Sequence, residues 1–190
     1  MFVLITGGSG SGKSAFAESL MTMMKDSEKK IYLATMIPYG KEGKEKIARH
    51  RFMRKNKGFE TVECFYDLET VFIPHRSSVL LECMSNLVAN EMFDPSSSFN
   101  QFPHDHTMEM LQDRMIQGVI QMSKKVRHLC VVTNEVFHDG DSYAKETLEY
   151  MKVLGNMNQG LAKEADLVIE VVYGIPIILR GEKEYESLIS

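Results

Sequence analysis

Cysteine is scarce and scattered in this chain. Cys64, Cys83 and Cys130 stand far apart, and no C-x-x-C pair or zinc-ligand spacing occurs. That excludes a disulfide framework and a clustered structural zinc, and leads us to expect reduced thiols in a cytoplasmic protein. Long apolar runs are missing as well. None approaches the roughly 20 residues that a membrane-spanning helix needs. The N-terminus enters an apolar segment directly, without the basic stretch and small-residue cleavage site of a signal peptide. Charge of one sign is not in large excess. A net charge of −4 over 190 residues gives no global reason to bind nucleic acid or a membrane surface. There is no internal repeat and no linker long enough to split the chain, so one domain over residues 1–190 is expected, with a substantial core. Methionine is abundant, and the 14 methionines are expected as adaptable core filler.

The most informative stretch is Gly7-Gly8-Ser9-Gly10-Ser11-Gly12-Lys13-Ser14. It follows the apolar run Phe2–Thr6 and precedes Ala15–Leu20, which reads as helix. Gly7, four residues, then Gly12-Lys13-Ser14 is Walker A spacing in its strand–loop–helix setting. Glycines let successive backbone N–H groups turn inward around a phosphate without Cβ clashes. The helix N-terminus adds a favourable dipole for an anion. Lys13 would reach the β- and γ-phosphates, and the Ser14 hydroxyl would serve Mg²⁺. The alternative, a Gly/Ser-rich turn that binds nothing, does not account for the agreement of strand, spacing and helix.

Along the chain, apolar runs alternate with helical periods. Strand one covers 2–6 and a helix 13–25, followed by a second run at Ile31–Thr35. Pro38 and Gly40 mark a loop. Residues 41–57 are strongly basic and predict a mostly exposed helix. Glu60–Cys64 reads as a strand and Tyr66–Ile73 as a short helix. Ser78–Cys83 is near-continuously apolar, which suits a parallel strand buried on both faces. A helix over 85–93 precedes Asp94–Pro103, a polar, Ser-rich stretch expected to be a mobile loop. A helix from His106 to Lys125, a strand over His128–Asn134, a loop over Glu135–Ser142 and a helix from about 144 to 164 follow. Asp166–Tyr173 and Ile175–Arg180 meet at Gly174, too tightly for a crossover helix, and so form an antiparallel hairpin. The fold class expected is α/β: a P-loop nucleotide-binding domain with a mainly parallel sheet and an antiparallel edge. Ligands of such sheets bind beyond the carboxyl ends of the strands, where Gly7, Thr35, Glu82 and Asn134-Glu135 fall.

Three features could carry chemistry beside the P-loop. Glu82 ends a buried apolar strand and is a candidate to hold Mg²⁺; a strand-end Glu reaching solvent is the alternative. His50 lies in the basic segment Arg49-His50-Arg51-Phe52-Met53-Arg54. A neutral imidazole can attack phosphorus, and arginines can neutralise a phosphate chain. A histidine in a charged helix is, however, more often a plain surface residue. Asn134-Glu135 could meet ribose, base or a second substrate, or simply start a loop.

Taken together and in order, Gly7–Ser14, Ala34-Thr35, Ile47-Ala48-Arg49-His50-Arg51, Thr61-Val62-Glu63, Leu80-Leu81-Glu82-Cys83, Thr133-Asn134-Glu135-Val136, Leu154–Gln159 and Gly174-Ile175-Pro176 form a set. The set resembles the bifunctional adenosylcobinamide kinase/adenosylcobinamide-phosphate guanylyltransferase family of cobalamin biosynthesis, from about Phe2 to Gly181. The resemblance implies two reactions. A nucleoside triphosphate donates its γ-phosphoryl to the hydroxyl of the corrinoid's aminopropanol arm. A histidine then takes GMP from GTP and passes it to the corrinoid phosphate. The histidine falls on His50. The implied nucleotide contacts fall on Gly7, Gly8, Ser9, Gly10, Ser11, Gly12, Lys13, Ser14, Ala34, Thr35, Met36, Arg51, Phe52, Met53, Arg54, Glu63 and Glu82. Ser14 and Glu82 are the implied Mg²⁺ ligands, GTP and ATP the implied nucleotides. A RecA-like sheet and a homotrimer are implied too.

The chain departs from the family's pattern in three places. Gly40-Lys41-Glu42-Gly43 stands where many members have Asp-Glu-Glu-Met. Phe137-His138-Asp139-Gly140-Asp141 replaces a Gly-rich Val-Pro segment. Met151-Lys152 replaces an Arg-Asp pair. The histidine block is intact; the altered segments bear on the kinase step and on corrinoid contacts. Two other readings stand beside this one: a P-loop kinase of another small alcohol, and a non-catalytic nucleotide-sensing module.

Overall fold

Seven short apolar runs pair into one sheet. In the computed structural model of the chain, residues 1–38, 40–101, 107–137 and 143–189 are described, with their side chains except those at 42, 44, 46, 49, 50 and 53. The strands are β1 (Phe2–Thr6), β2 (Lys30–Ala34), β3 (Phe59–Glu63), β4 (Ser78–Glu82), β5 (His128–Val132), β6 (Leu167–Val172) and β7 (Ile175–Arg180). Their order across the sheet is β3-β2-β4-β5-β1-β6-β7. All pairs are parallel except β6 with β7, which is the antiparallel hairpin read from Gly174. The α/β class with a mainly parallel sheet is thus what the chain forms.

The burial pattern explains the sequence pattern. Val3, Leu4 and Ile5 of β1, Val79, Leu80 and Leu81 of β4, and Leu129 to Val132 of β5 are buried on both faces, so these strands read as continuous apolar runs. On one face Leu4, Leu33, Leu81 and Val131 pack under helices α3 (Met84–Phe93), α5 (Met108–Lys125) and α6 (Lys145–Glu164). On the other, Ile5, Leu80, Cys130 and Val132 pack with α1 (Lys13–Met23), which follows the P-loop, and Tyr32 extends the same cluster onto β2. Met21, Met84, Met115 and Met157 are fully buried across these two layers, as the composition led us to expect.

Helix α2 (Gly40–Arg54) is the basic helix. Among its described side chains only Arg54 is buried. A short α7 (Glu182–Ile189), which no sequence signal announced, follows β7 and adds Tyr185 and Leu188 beside α1.

Two expectations need correction. Tyr66–Ile73 is not a helix; it holds only a 3-10 turn at Leu68–Thr70. Asp67 there is left-handed, with φ 52°. Its amide donates to Glu91 Oε1 at 2.7 Å and its carboxylate meets Arg114 Nη1 at 3.2 Å. These tertiary contacts hold the backbone out of a helical path. Asp94–Pro103 is not a free loop over its described part. It contains α4 (Ser98–Gln101), Phe99 is buried, and the Asn100 amide donates to Glu91 O at 3.0 Å and Asp94 O at 2.8 Å. Helix ends also shift by a few residues: the helix expected to 25 ends at Met23, and the one expected to 57 ends at Arg54. Residues 102–106 and 138–142, on which part of the expected loops and the start of the His106 helix fall, lie outside the described residues.

Gly7 shows how tightly the loop after β1 is held. Its φ is +150°, and a Cβ there would sit 2.5 Å from the Val171 carbonyl oxygen of β6. A Cβ on Gly8 would meet nothing within 4 Å. We predict that Gly7→Ala destabilises the nucleotide-free protein by more than about 1 kcal/mol. At roughly 2–4 °C per kcal/mol for a chain of this size, calorimetry should show a clear drop in Tm. Gly8→Ala should leave Tm nearly unchanged. Equal Tm values for the two variants would refute the crowding argument.

Candidate nucleotide site

The P-loop is latched by both of its neighbours. Glu135 N donates to Gly7 O at 3.1 Å from the end of β5, and Gly174 N donates to Ser11 O at 2.7 Å from the hairpin turn. Gly12, with φ +91°, turns the chain into α1, and a Cβ there would press on Gly174 Cα at 3.2 Å. Only glycine fits that turn. Lys13 is almost fully buried, and its Nζ folds back to donate to Gly8 O at 2.9 Å. The ammonium therefore rests within the loop that would wrap a phosphate chain.

A cavity of about 580 Å³ opens in front of this loop. Ser9 to Ala15 form one wall. The cavity does not stay at the carboxyl rim of the sheet, where strand-end logic put it. It runs down the face of β2 and β3 past Tyr32 and Thr61, which are register partners, as are Ala34 and Glu63 next to them. That face is the one α1 covers over the central strands. Beyond α1, toward β3, helix α2 forms the far wall through Ile47, Arg51 and Arg54.

Of the residues proposed from sequence, Ser9, Gly10, Ser11, Gly12, Lys13, Ser14, Ala34, Met36, Arg51, Arg54, Glu63 and Glu82 line this one cavity. Gly7 and Gly8 belong to the loop behind the wall. Thr35 does not line it: it is fully buried, and its hydroxyl donates to Cys83 O at 2.8 Å, tying β2 to the turn after β4. Phe52 is 79 % exposed and lies off the cavity. The side chains of His50 and Met53 lie outside the described residues. Position 50 itself falls on α2 three residues after Ile47 and four before Arg54, on the flank of the stripe that faces the cavity.

Sequence reasoning missed Tyr32, Thr61 and Asn86 as lining residues. A period-2 argument was available for the first two. Tyr32 shares a strand face with Ala34, and Thr61 with Glu63. Asn134, left open between roles, lines the cavity and donates to Ser85 Oγ at 2.6 Å. Glu135 faces elsewhere in part, accepting from Phe137 N at 2.8 Å.

The charges here are held out of water. Arg54 is 5 % exposed and stacks over the Tyr32 ring, 3.4 Å from its centroid. Its Nε and Nη1 have no hydrogen-bond partner among the described residues. Arg51 reaches across the cavity mouth to Glu63 at 2.9 Å, where both side chains are half exposed. The Ser14 hydroxyl favours the ionised Glu82, whose Oε2 is buried with no hydrogen-bond partner among the described residues. Burial pushes the Glu82 carboxyl above the usual carboxylate range, against the opposing pull of the Ser14 hydroxyl. A hard cation fits that arrangement. A hydroxyl and a carboxylate with one unsatisfied oxygen would supply two oxygen donors to such a cation. Among the described residues no cluster of three or more His, Cys, Asp or Glu gathers to hold a metal by itself.

Comparison with known proteins places this chain in a family. The family model described as "CobU: Cobinamide kinase / cobinamide phosphate guanyltransferase" matches residues 3–179. The chain belongs to this family. It is 31% identical over 185 residues to the "Bifunctional adenosylcobalamin biosynthesis protein CobU" of Escherichia coli (strain K12), covering 95% of this chain and 100% of that protein. It is 30% identical to the protein of the same name from Salmonella typhimurium, with the same coverage. Among solved structures, the ATPase domain of G40P overlays 89% of this chain and 68% of its own, with TM-score 0.49 and 14% identity.

In this member of the CobU family the partly buried Glu82, with its Oε2 out of water, allows a prediction about stability. The folded state raises its pKa, so folding resists its ionisation. Below the unfolded pKa of about 4.3 the group is protonated in both states and has no effect. As pH rises through the raised folded value the penalty develops and stays. Glu82→Gln should therefore match the parent in Tm near pH 4 and exceed it at pH 8, without nucleotide and with chelator present. A variant less stable than the parent at pH 8 would contradict the desolvation argument.

Proposed function

We propose that this chain phosphorylates adenosylcobinamide and then transfers GMP from GTP to adenosylcobinamide phosphate, through a guanylyl adduct on His50. The observation that supports the adduct is the face of α2. Ile47, Arg51 and Arg54 line the P-loop cavity, and position 50 lies between them along that helix. A nucleophile on this helix would approach a triphosphate from the side opposite Lys13.

In the first reaction the corrinoid hydroxyl oxygen bonds to the γ-phosphorus, the β–γ bridging bond breaks, and the hydroxyl proton is released. Lys13 and the P-loop amides bind and orient the triphosphate and neutralise its charge. In the second reaction an imidazole nitrogen of His50 bonds to the α-phosphorus of GTP. The α–β bridging bond breaks, pyrophosphate leaves with the electron pair, and the ring loses its other proton. An oxygen of the corrinoid phosphate then bonds to the same phosphorus, the P–N bond breaks, and the ring regains a proton. Arg54, buried with its Nε and Nη1 lacking hydrogen-bond partners among the described residues, would stabilise the charge that moves onto the phosphates. Ser14 and Glu82 would hold Mg²⁺, which when bound adds positive charge beside the phosphates.

We further propose a homotrimer located in the cytoplasm. The edge strand β7 and the turn before it expose Tyr173, Ile175 and Leu179 at 93%, 65% and 57%, an apolar row that suits association. Cys64, Cys83 and Cys130 are free and buried, in keeping with a reducing compartment.

Incubation with α-labelled GTP and Mg²⁺, without corrinoid, should leave GMP covalently bound. The adduct should be acid-labile and alkali-stable, map within Ile47–Arg54 and vanish in His50→Ala. A protein that binds GTP yet forms no adduct would overturn the guanylyltransferase reading and favour a simple kinase or a nucleotide sensor. Lys13→Ala should lose both transfers while keeping the parent's circular dichroism. Full activity in that variant would remove the P-loop from the mechanism.

A further inference from the structure

Glu18 is a carboxylate in an unusual place. It lies on α1 in the turn after Lys13 and Ser14, and it is only 2 % exposed. A carboxylate so buried must be paired. Both of its partners come from the end of the basic helix. Lys57 Nζ donates to Glu18 Oε2 at 2.6 Å, and Arg54 Nη1 stands 3.9 Å from Oε1. Lys57 is itself turned back on the helix end, its amide donating to Arg54 O at 2.9 Å.

Arg54 is the one buried side chain among those described on α2, and Lys41, Glu45, Ala48 and Phe52 face outward. The other ionic link from α2 to the sheet, Arg51 to Glu63, is half exposed on both sides. Such exposed pairs contribute little. Among the described side chains of α2, the buried ionic contact is the one at its C-terminal end, to the same helix that carries the P-loop.

We infer that Glu18 is a positioning residue for guanylyl transfer, anchoring the C-terminal end of α2 through Lys57 and Arg54 so that the helix presents position 50 to a nucleotide on the P-loop. This rests on the reading of His50 as the guanylylated residue. The geometry gives the reason for the effect. Position 50 is one turn before the anchored Arg54, so a tilt at the anchor moves it relative to the α-phosphate. A displacement near 1 Å is enough to lower a rate by about 100-fold. The γ-phosphoryl transfer needs no group from α2's middle turns and is served by the P-loop.

The test separates the two transfers. Glu18→Gln keeps shape and removes the charge, while Lys57, at 29 % exposure, can turn toward water. With α-labelled GTP in single turnover, Glu18→Gln should form the covalent GMP adduct about 10- to 100-fold more slowly than the parent. Its GTP Kd and its γ-phosphoryl transfer to cobinamide should stay within about threefold. Lys57→Met should give the same split, and the double variant should be no slower than the slower single, since both break one contact. Should Glu18→Gln fold poorly by circular dichroism, Lys57→Met carries the same comparison. Adduct formation at the parent's rate in folded variants overturns the positioning role and leaves His50 in place. Equal loss of both transfers, or losses that multiply in the double variant, overturns it as well. An unlabelled parent protein is a different result: it defeats the His50 reading and this inference with it.

Discussion

A phosphate-binding loop of bare amides functions only if something rigid aims it. Here that is the parallel pairing of β1 between β5 and β6, with Val3 and Ile5 fully buried and both neighbours in register along the strand. The two neighbours then latch the loop itself, through Glu135 N to Gly7 O and Gly174 N to Ser11 O. The glycines are a consequence of that crowding as much as of the ligand. Gly7 has no room for a Cβ against Val171, and Gly12 little against Gly174. The amides are held in place before any nucleotide arrives, so no ordering of the loop opposes binding.

The second organising feature is buried charge. Lys13, Glu18 and Arg54 are each less than a tenth exposed, and Glu82 carries an unsatisfied buried oxygen. Such groups weaken a fold unless paired. Their pairing here is partial: among the described residues Arg54 Nε and Nη1 lack hydrogen-bond partners, Nη1 having only the 3.9 Å ion pair to Glu18, and Glu82 Oε2 lacks one too. Incomplete satisfaction at one cavity is the pattern expected where a charged ligand and its cation complete the network. The same low-dielectric setting strengthens each of these charges toward a triphosphate.

The arrangement also explains how a basic, outward-facing helix can wall the P-loop cavity. Among the described side chains of α2 only Arg54 is buried; it stacks on Tyr32 and is ion-paired with Glu18, which sits a turn beyond the P-loop lysine on α1. Phosphate binding and helix placement therefore share a support.

The sequence by itself determined the sheet and the loop. Doubly buried strands must be apolar throughout, the Gly-x4-Gly-Lys-Ser spacing admits few other backbones, and Gly174 between two apolar runs forces a hairpin. These are local constraints, legible in neighbouring residues. The ordered motif set from Gly7 to Pro176 likewise carried the family resemblance. Tertiary structure alone decided the rest. That the cavity descends along Tyr32 and Thr61 depends on β2 and β3 lying outside the cover of α1, which no local pattern encodes. That Asp67 breaks a helical stretch depends on Glu91 and Arg114, brought from other helices. That Glu18 is an anchor rather than one more surface acid depends on Lys57, 39 residues away. A charge reads the same in a sequence whether water or another charge surrounds it, and only packing distinguishes the two.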